Sequence, residues 1–496
     1  MILFWLVFLI GQHVADPRYH TGEQIRAFFD SVATQRPDLF VLDTIGVTDR
    51  LGLPILALKI SDHPTKEEPE PRILLTAIHH AEEVLGAEVL WALVDTVFRA
   101  YDTDPEIRDW VNRLEVFVVP EVNPDGHWVV TSLQDTSWRK NLRDNDGDGA
   151  MDLEDRSDGV DLNRNYDFHW QGGNPDPASS YYRGPSPFSE PETRAIRDLT
   201  LRERFSAAVH YHSPAISMGE IVYTPYPGAP DFPYFLSLAI QFAGHLPKVQ
   251  GTGTYAVLYG EYDVGNARNW QYAAVGTYAL NVEIGSYLVQ PPPESVDVFV
   301  NTQLEGLFFL LHRVARGPGL SIQAIDDHLG CPIPVQVEIL EIDTLAPVPG
   351  PRISSEDEAF FVHRILTPGS YTVVVSDLGQ SYFPETLHVE IGDTLVSLRV
   401  PMRAHQTLTL WTMPLGQRLE VRYYTPLAGQ AEFLLFDVAG RLRGSWQAKV
   451  RRGWNRLLYP LPAPLPDAVY ILRVSQKNRP VHQTFATPFV KIGGVR

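Results

Sequence analysis

Ile78-His79-His80-Ala81-Glu82-Glu83 stands where the apolar run Ile73-Leu74-Leu75 gives way to Val84, Leu85, Val89, Leu90, Leu93 and Val97 at helical spacing. A strand hands over to a helix across this stretch, and an α/β fold is read outward from that junction. Imidazole nitrogen and carboxylate oxygen suit Zn²⁺, and a catalytic zinc uses three protein ligands while leaving a position for water. An H-x-x-E pair supplies two of the three, either His79 with Glu82 or His80 with Glu83. Neighbouring strand residues face opposite ways, so one histidine at most faces a given site. The residues alone leave the register open. By itself the pattern also fits solvated histidines followed by an acidic first helical turn.

Outward from this junction, strand-like and helix-like segments alternate from about Asp16 to Arg316. Ile25, Phe28, Phe29 and Val32 mark a helix over 22–34, and 304–314 reads as a closing helix. Expected strands lie at 55–60, 73–78, 116–119, 207–212 and 278–284. The alternation predicts an α/β domain on a mixed central β-sheet flanked by helices. Ligands gather in crevices at strand ends in such sheets. His80 to Glu83, Asn123-Pro124-Asp125-Gly126, His210-Tyr211-His212-Ser213 and Glu283 all fall at strand ends. After Gly317-Pro318-Gly319 the pattern changes to short alternating strands, with a second boundary near Pro401 to His405. Two C-terminal β-sandwich domains are expected there.

With Lys+Arg 41 against Asp+Glu 60, the net charge is −19 and the pI about 5.3, which argues against nucleic acid as a partner. The 496 residues suffice for several cores. Residues 2–10 are an unbroken apolar run and Ala15 precedes Asp16, the pattern of a signal peptide over 1–15. That run is too short to span a bilayer, and no later one reaches spanning length. Cys331 is the only cysteine, so an intramolecular disulfide is impossible. An exported chain without disulfides points to a bacterial protein, secreted or at the cell surface.

The blocks His80-Ala81-Glu82-Glu83, Asn123-Pro124-Asp125-Gly126, Trp138-Arg139-Lys140, Asp161-Leu162-Asn163-Arg164-Asn165, His212-Ser213 and Asn281-Val282-Glu283 follow one another over roughly the first 300 residues. In that order and spacing the chain resembles the zinc carboxypeptidases, the family of carboxypeptidase A and carboxypeptidase T. The resemblance implies His80, Glu83 and His212 as zinc ligands, with His210, on the same strand face, as the rival to His212. It implies Glu283 as general base and Arg139 as the donor that polarises the scissile carbonyl. Asn163 and Arg164 would hold the substrate's terminal carboxylate, because a planar guanidinium makes two parallel bonds to it. Tyr259, with Tyr262 as the alternative, would cap the substrate. Arg268 takes the position at the base of the pocket for the C-terminal side chain, where a cation favours Glu or Asp, and Asn281 adds polarity beside it. Glu82 stands where the family often has arginine.

The implied reaction is zinc-dependent hydrolysis of the C-terminal bond of peptides or proteins by residues 16–317, with no inhibitory segment evident before Tyr19. A peptidase for γ-D-glutamyl bonds of cell-wall peptides is a second reading, which complete Asn163 and Arg164 disfavour. A non-catalytic extracellular binding protein is a third, disfavoured by the full ligand set and Glu283.

Between Arg139 and Asn163, the segment 144–155 carries Asp144, Asp146, Asp148, Asp152 and Asp155 at positions 1, 3, 5, 9 and 12, with Gly149 at 6. This spacing matches a calcium loop of the EF-hand type. Residues 318–402, with Leu366-Thr367-Pro368-Gly369-Ser370-Tyr371-Thr372-Val373, resemble the transthyretin-like (carboxypeptidase regulatory-like) sandwich. Residues 403–496 resemble Ig-like, type IX secretion sorting domains through Phe436-Asp437-Val438-Ala439-Gly440-Arg441 and the strand 468–474. The secretion machinery is therefore an expected partner, and a monomer the expected state.

Overall fold

The computed structural model describes residues 19–490 apart from 214–218, 260–263, 286–287, 328–329, 346–348, 356–359, 379–380, 406–408, 416–417, 426–427, 438, 452, 461–468 and 479–480. The expected signal segment and Tyr262 lie outside the described residues.

The strands β1 (Phe40–Val47), β2 (Pro54–Ile60), β3 (Arg72–Thr76), β4 (Glu115–Val119), β5 (Ala207–His212), β6 (Ile221–Thr224), β7 (Ala256–Tyr259) and β8 (Tyr278–Glu283) form one sheet. Their order is β1-β2-β4-β3-β5-β8-β6-β7. The inner β4-β3-β5-β8 run parallel, while β2 pairs antiparallel with β4 and β6 antiparallel with β8. The sheet is therefore mixed, as the alternation predicts. Strands β1 and β7 are absent from the sequence reading because they are the sheet's edge strands, where partial exposure blurs apolar periodicity; β6 is largely buried, and its four residues are too few to show a period.

Alternate residues of the inner strands face opposite layers. Ile73, Leu75, Val209 and Leu280 pack with the helices Gly22–Gln35, Leu85–Ala100, Phe232–Gly244 and Pro293–Arg316. Leu74, Phe117, Ala208 and Ala279 pack with Pro191–Glu203 and Ala267–Val275 on the other face. Burial on both faces explains why β3 and β5 are buried along their whole lengths. Strands β4 and β5 flank β3 on opposite sides, so the sheet's winding reverses there and a crevice opens beyond the strand ends.

The expected strand 73–78 is too long. β3 ends at Thr76, and Ile78 sits at φ 53, in the left-handed region that a β-branched residue rarely adopts. Its carbonyl accepts from the Asn123 amide at 2.9 Å, and the Ala77 amide donates to Val119 O at 3.1 Å. Long-range bonds thus hold a locally costly turn. The following helix starts only at Leu85, so His79 to Glu83 occupy a turn rather than a strand end or a helix. Gly86 permits that helix to lie on β5, since a Cβ there would fall 2.7 Å from the Tyr211 Cβ.

Beyond the sheet the chain is strand-rich. Gly319–Asp326, Phe361–Ile365 and Leu395–Met402 form one sheet, facing a second of Arg352–Ile353, Val335–Ile339, Gly369–Asp377 and Glu385–Ile391 around Leu320, Ile322, Val337, Val373 and Val375. Thr409–Leu415, Arg418–Thr425 and Gly453–Pro460 pair in another sheet. It shares a core around Leu419, Val421, Phe433 and Leu472 with the sheet of Gly429–Asp437, Leu442–Val450, Val469–Asn478 and Val481–Val490. Pairing is antiparallel throughout except between Gly319–Asp326 and Leu395–Met402.

One buried carboxylate joins the first of these units to the large sheet. Asp231 accepts from the Tyr272 hydroxyl, from the Tyr278 hydroxyl at 2.9 Å and from Arg352 Nη2 at 2.9 Å. Arg364 Nη2 stands 3.7 Å away and is itself paired with Asp343.

Candidate active site

Three buried side chains, His80, Glu83 and His212, meet at the crevice. His80 Nδ1 is 2.9 Å from Glu83 Oε1, His212 Nδ1 is 2.8 Å from Glu83 Oε2, and the two Nδ1 atoms are 3.3 Å apart. Such a group of inward-facing imidazoles and a carboxylate is the donor set that suits zinc. Burial alone would raise the Glu83 carboxyl, but the His80 and His212 imidazoles hold it well below the usual range. Burial and Arg139 push His80 down, yet the Glu83 and Asp161 carboxylates outweigh them and lift it to about 9. Both shifts express one fact: a carboxylate and positive charge already attract one another where a divalent cation fits.

The turn explains the register. His79 and His80 lie past the strand, so strand alternation does not separate them; their partners do. His79 Nε2 is 3.1 Å from the Tyr166 hydroxyl, and its ring stands edge-on to His210. His210, the rival to His212, has Nδ1 2.7 Å from Thr76 Oγ1 and Nε2 2.8 Å from Gln271 Oε1. With both nitrogens taken and burial pushing it down to about 3, His210 stays a neutral structural residue.

Asn123 holds the turn to its neighbours. Its side-chain amide donates to Lys140 O at 3.0 Å and its Oδ1 accepts from Gly126 N at 2.9 Å. Ala81 N donates to Arg139 O at 3.0 Å, so the ligand turn and the arginine segment are stitched together. Gly126 has no room for a Cβ, which would lie 2.6 Å from Lys140 O and 2.8 Å from the Ala81 Cβ.

Asp161 is a functional residue to which sequence reasoning assigned no role. Its Oδ1 is 3.1 Å from His80 Nε2, and its Oδ2 accepts from Arg139 Nη2 at 3.1 Å. One carboxylate therefore orients His80 and Arg139 together. Its place in the block Asp161 to Asn165 was visible; its two partners lie far away in sequence. Arg139 also approaches Glu83 at 3.5 Å and Glu82 at 3.8 Å.

Glu283 ends β8 opposite His212 in register, at the cleft and half-buried. Burial, then the Glu83 carboxylate, push its carboxyl up to about 8 against the pull of His80, Arg139 and Arg268. It lies outside the His80–Glu83–His212 cluster.

Asn163 is buried, with Nδ2 3.2 Å from His212 Nε2 and Oδ1 accepting from Ala267 N at 3.0 Å. It links His212 to the helix Ala267–Val275. Arg164, half-buried, donates from Nη1 to Asn163 O at 2.8 Å. Arg268 near the start of that helix is 1% exposed, with its guanidinium 5.5 Å from the Tyr223 ring. Asn281, paired with Tyr223 across the sheet, is buried with its Oδ1 unbonded.

The structure places the expected cap and the expected calcium loop as follows. Tyr259 is a strand residue of the marginal β7, 52% exposed and edge-on to Phe232 at 5.8 Å. The ring that stands over both arginines is that of Tyr181, 5.2 Å from the Arg139 guanidinium carbon and 5.6 Å from that of Arg164. In the acidic loop, carboxylates gather as Asp144, Asp146 and Asp158 and as Asp146, Asp148 and Asp152, without Asp155. No helix follows this loop to carry a twelfth-position ligand inward. Asp155 instead accepts from Ser157 N at 2.9 Å, and the buried Asp158 turns in, accepting from Asn145 N at 2.9 Å.

The family model described as zinc carboxypeptidase (Peptidase_M14) matches residues 25–306. Carboxypeptidase B of Astacus astacus is 30% identical over 264 residues, covering 52% of this chain and 79% of that protein. Carboxypeptidase A2 of Rattus norvegicus is 35% identical over 184 residues, 36% of this chain and 41% of that protein. Among solved structures, carboxypeptidase A from Helicoverpa armigera superposes with a TM-score of 0.52 at 22% identity, covering 60% of this chain and 73% of that one.

Proposed function

The chain belongs to the zinc carboxypeptidase family and is a peptide hydrolase, and on that premise we propose that it removes single residues from peptide C-termini, preferring Glu or Asp. The observation that carries this is the meeting at one crevice of the His80–Glu83–His212 cluster, Glu283, and the arginine pair Arg139 and Arg164. His80, Glu83 and His212 would hold a zinc ion, which when bound would supply Lewis acidity to the reaction. Arg164 takes the terminal carboxylate, which restricts cleavage to chain ends. Arg139, steadied by Asp161, donates to the carbonyl oxygen as negative charge builds there. Glu283 takes a proton from the water and passes it to the leaving nitrogen. The test is a C-terminal residue scan of a peptide library with the zinc-loaded protein: single amino acids are expected, and internal fragments sink the reading. Release from γ-D-glutamyl cell-wall peptides alone would favour that alternative.

The acidic preference follows from the buried Arg268 guanidinium, which stands over the ring of Tyr223, the strand partner of Asn281 with its unbonded amide oxygen. A carboxylate side chain bonded to Arg268 gains a charge-assisted pair that a phenyl ring cannot make. Arg268→Met should lower kcat/KM for Glu-ending peptides about 10- to 100-fold relative to Phe-ending ones. Equal loss on both would refute the preference.

The gathered acids of the 144–158 loop support a structural Ca²⁺ held with Asp158 in place of Asp155. Chelating calcium while zinc is retained should lower the melting temperature by about 5 °C. Asp158→Asn should abolish that response and Asp155→Asn should keep it; an unchanged melting temperature on chelation of the unmutated protein rules the ion out.

The separate cores around Leu320 and Leu419 support two modules, at 318–402 and 403–496, appended to the catalytic part. With the apolar leader pattern at 1–15, they fit an enzyme that is exported and carries a sorting module at its end.

A further inference from the structure

We propose that Tyr181 is a substrate-contacting wall of the cleft: its ring lies along the backbone of the peptide's last residue, between Arg139 and Arg164, and holds C-terminal peptides regardless of their last side chain. The proposal rests on the carboxypeptidase reading and adds a residue that the sequence blocks do not contain.

The ring touches both cations, 5.2 Å from the Arg139 guanidinium carbon and 5.6 Å from that of Arg164, yet the residue remains 52% exposed. A large aromatic with open surface beside two cations is poised for a further partner. If Arg139 meets the scissile carbonyl and Arg164 the terminal carboxylate, one residue of substrate backbone, about 3.8 Å between Cα atoms, must run between them. The Tyr181 ring, within 5.6 Å of both guanidinium carbons, borders that path.

The backbone that carries the ring is tied down. Tyr181 N donates to Ser179 Oγ at 3.1 Å, and the next residue bridges Asn174. The Tyr182 carbonyl accepts from Asp161 N at 2.9 Å, so the loop is tied to the same aspartate that orients His80 and Arg139. Lys140, beside Arg139 in sequence, donates from Nζ to Pro177 O at 2.7 Å and to Arg156 O at 2.7 Å. The wall and the oxyanion arginine therefore share their anchors. Tyr259, by contrast, lies in β7 against Phe232.

Contact with backbone rather than side chain makes a specific expectation. Tyr181→Ala should raise KM about tenfold for Glu-ending and Phe-ending peptides alike, with kcat within about twofold. Tyr181→Phe, which keeps the ring, should restore KM to within about twofold of the unmutated enzyme. Binding of the same peptides to zinc-loaded Glu283→Gln protein, read by calorimetry, should weaken about tenfold on adding Tyr181→Ala. Half exposure means the alanine variant should fold with an unchanged melting temperature. An unchanged KM and affinity, or an effect confined to one C-terminal residue type, overturns the proposal. If the unmutated enzyme neither cleaves nor binds such peptides, the carboxypeptidase reading fails and this proposal falls with it.

Discussion

Glu283→Gln should lower kcat by about 10³-fold, leave KM within about threefold, and leave bound zinc at its unmutated level. The three readouts separate because Glu283 stands apart from the ligand cluster while facing the same cleft. Its backbone is fixed on both sides, with Glu220 N donating to Glu283 O at 2.8 Å and Ile284 N to His212 O at 2.8 Å. The amide keeps the shape and hydrogen-bonding reach but cannot take a proton. Burial and the Glu83 carboxylate already push the acid up to about 8, so its affinity for a proton is well above that of an exposed glutamate. Loss of zinc in the variant would place Glu283 among the ligands instead, and activity within tenfold of the unmutated enzyme would remove it from the proton path.

Asp231→Ala should produce the largest loss of stability, about 3–5 kcal/mol, seen as a melting temperature lowered by about 10 °C. Asp231 is fully buried and serves Tyr272, Tyr278 and Arg352 at once, with Arg364 close by. Removing it leaves Arg352 buried without its carboxylate, and breaking a buried pair from one side costs more than the pair contributes. Tyr272 belongs to the helix that carries Arg268, so the strand-rich unit is fastened to that helix. Arg352→Met alone should cost less. Combined with Asp231→Ala it should cost less than the sum, because the two residues share one interaction. Additive losses, or an Asp231→Ala protein melting within about 2 °C of the unmutated one, would show that the network carries no stability.

Much of the fold is legible in the chain because it rests on periodicity. The runs at 55–60, 116–119, 207–212 and 278–284 become β2, β4, β5 and β8 because both faces of the sheet demand apolar residues. Strands β1 and β7 escape because edge strands need less burial, and β6 because it is only four residues long. Residues 293–303 escape because Glu294, Asp297, Asn301 and Gln303 interrupt the apolar pattern of what is one helix, Pro293–Arg316.

For the site, sequence by itself determined the chemical types: an H-x-x-E pair, a later histidine and a glutamate that each end a strand, and two arginines. Tertiary structure decided which atoms meet. Ile78 in a left-handed turn, held by Asn123, takes His79 and His80 off the strand and sends one to Tyr166 and the other to Glu83. Asp161 reaches both His80 and Arg139, Asp158 rather than Asp155 joins the gathered carboxylates of the acidic loop, and Tyr181 stands over the arginines. Each of these depends on the direction of a side chain after a turn and on bonds closed between distant residues, and linear spacing carries neither. The opening H-x-x-E names the metal chemistry; the bond from Asn123 N to Ile78 O places it.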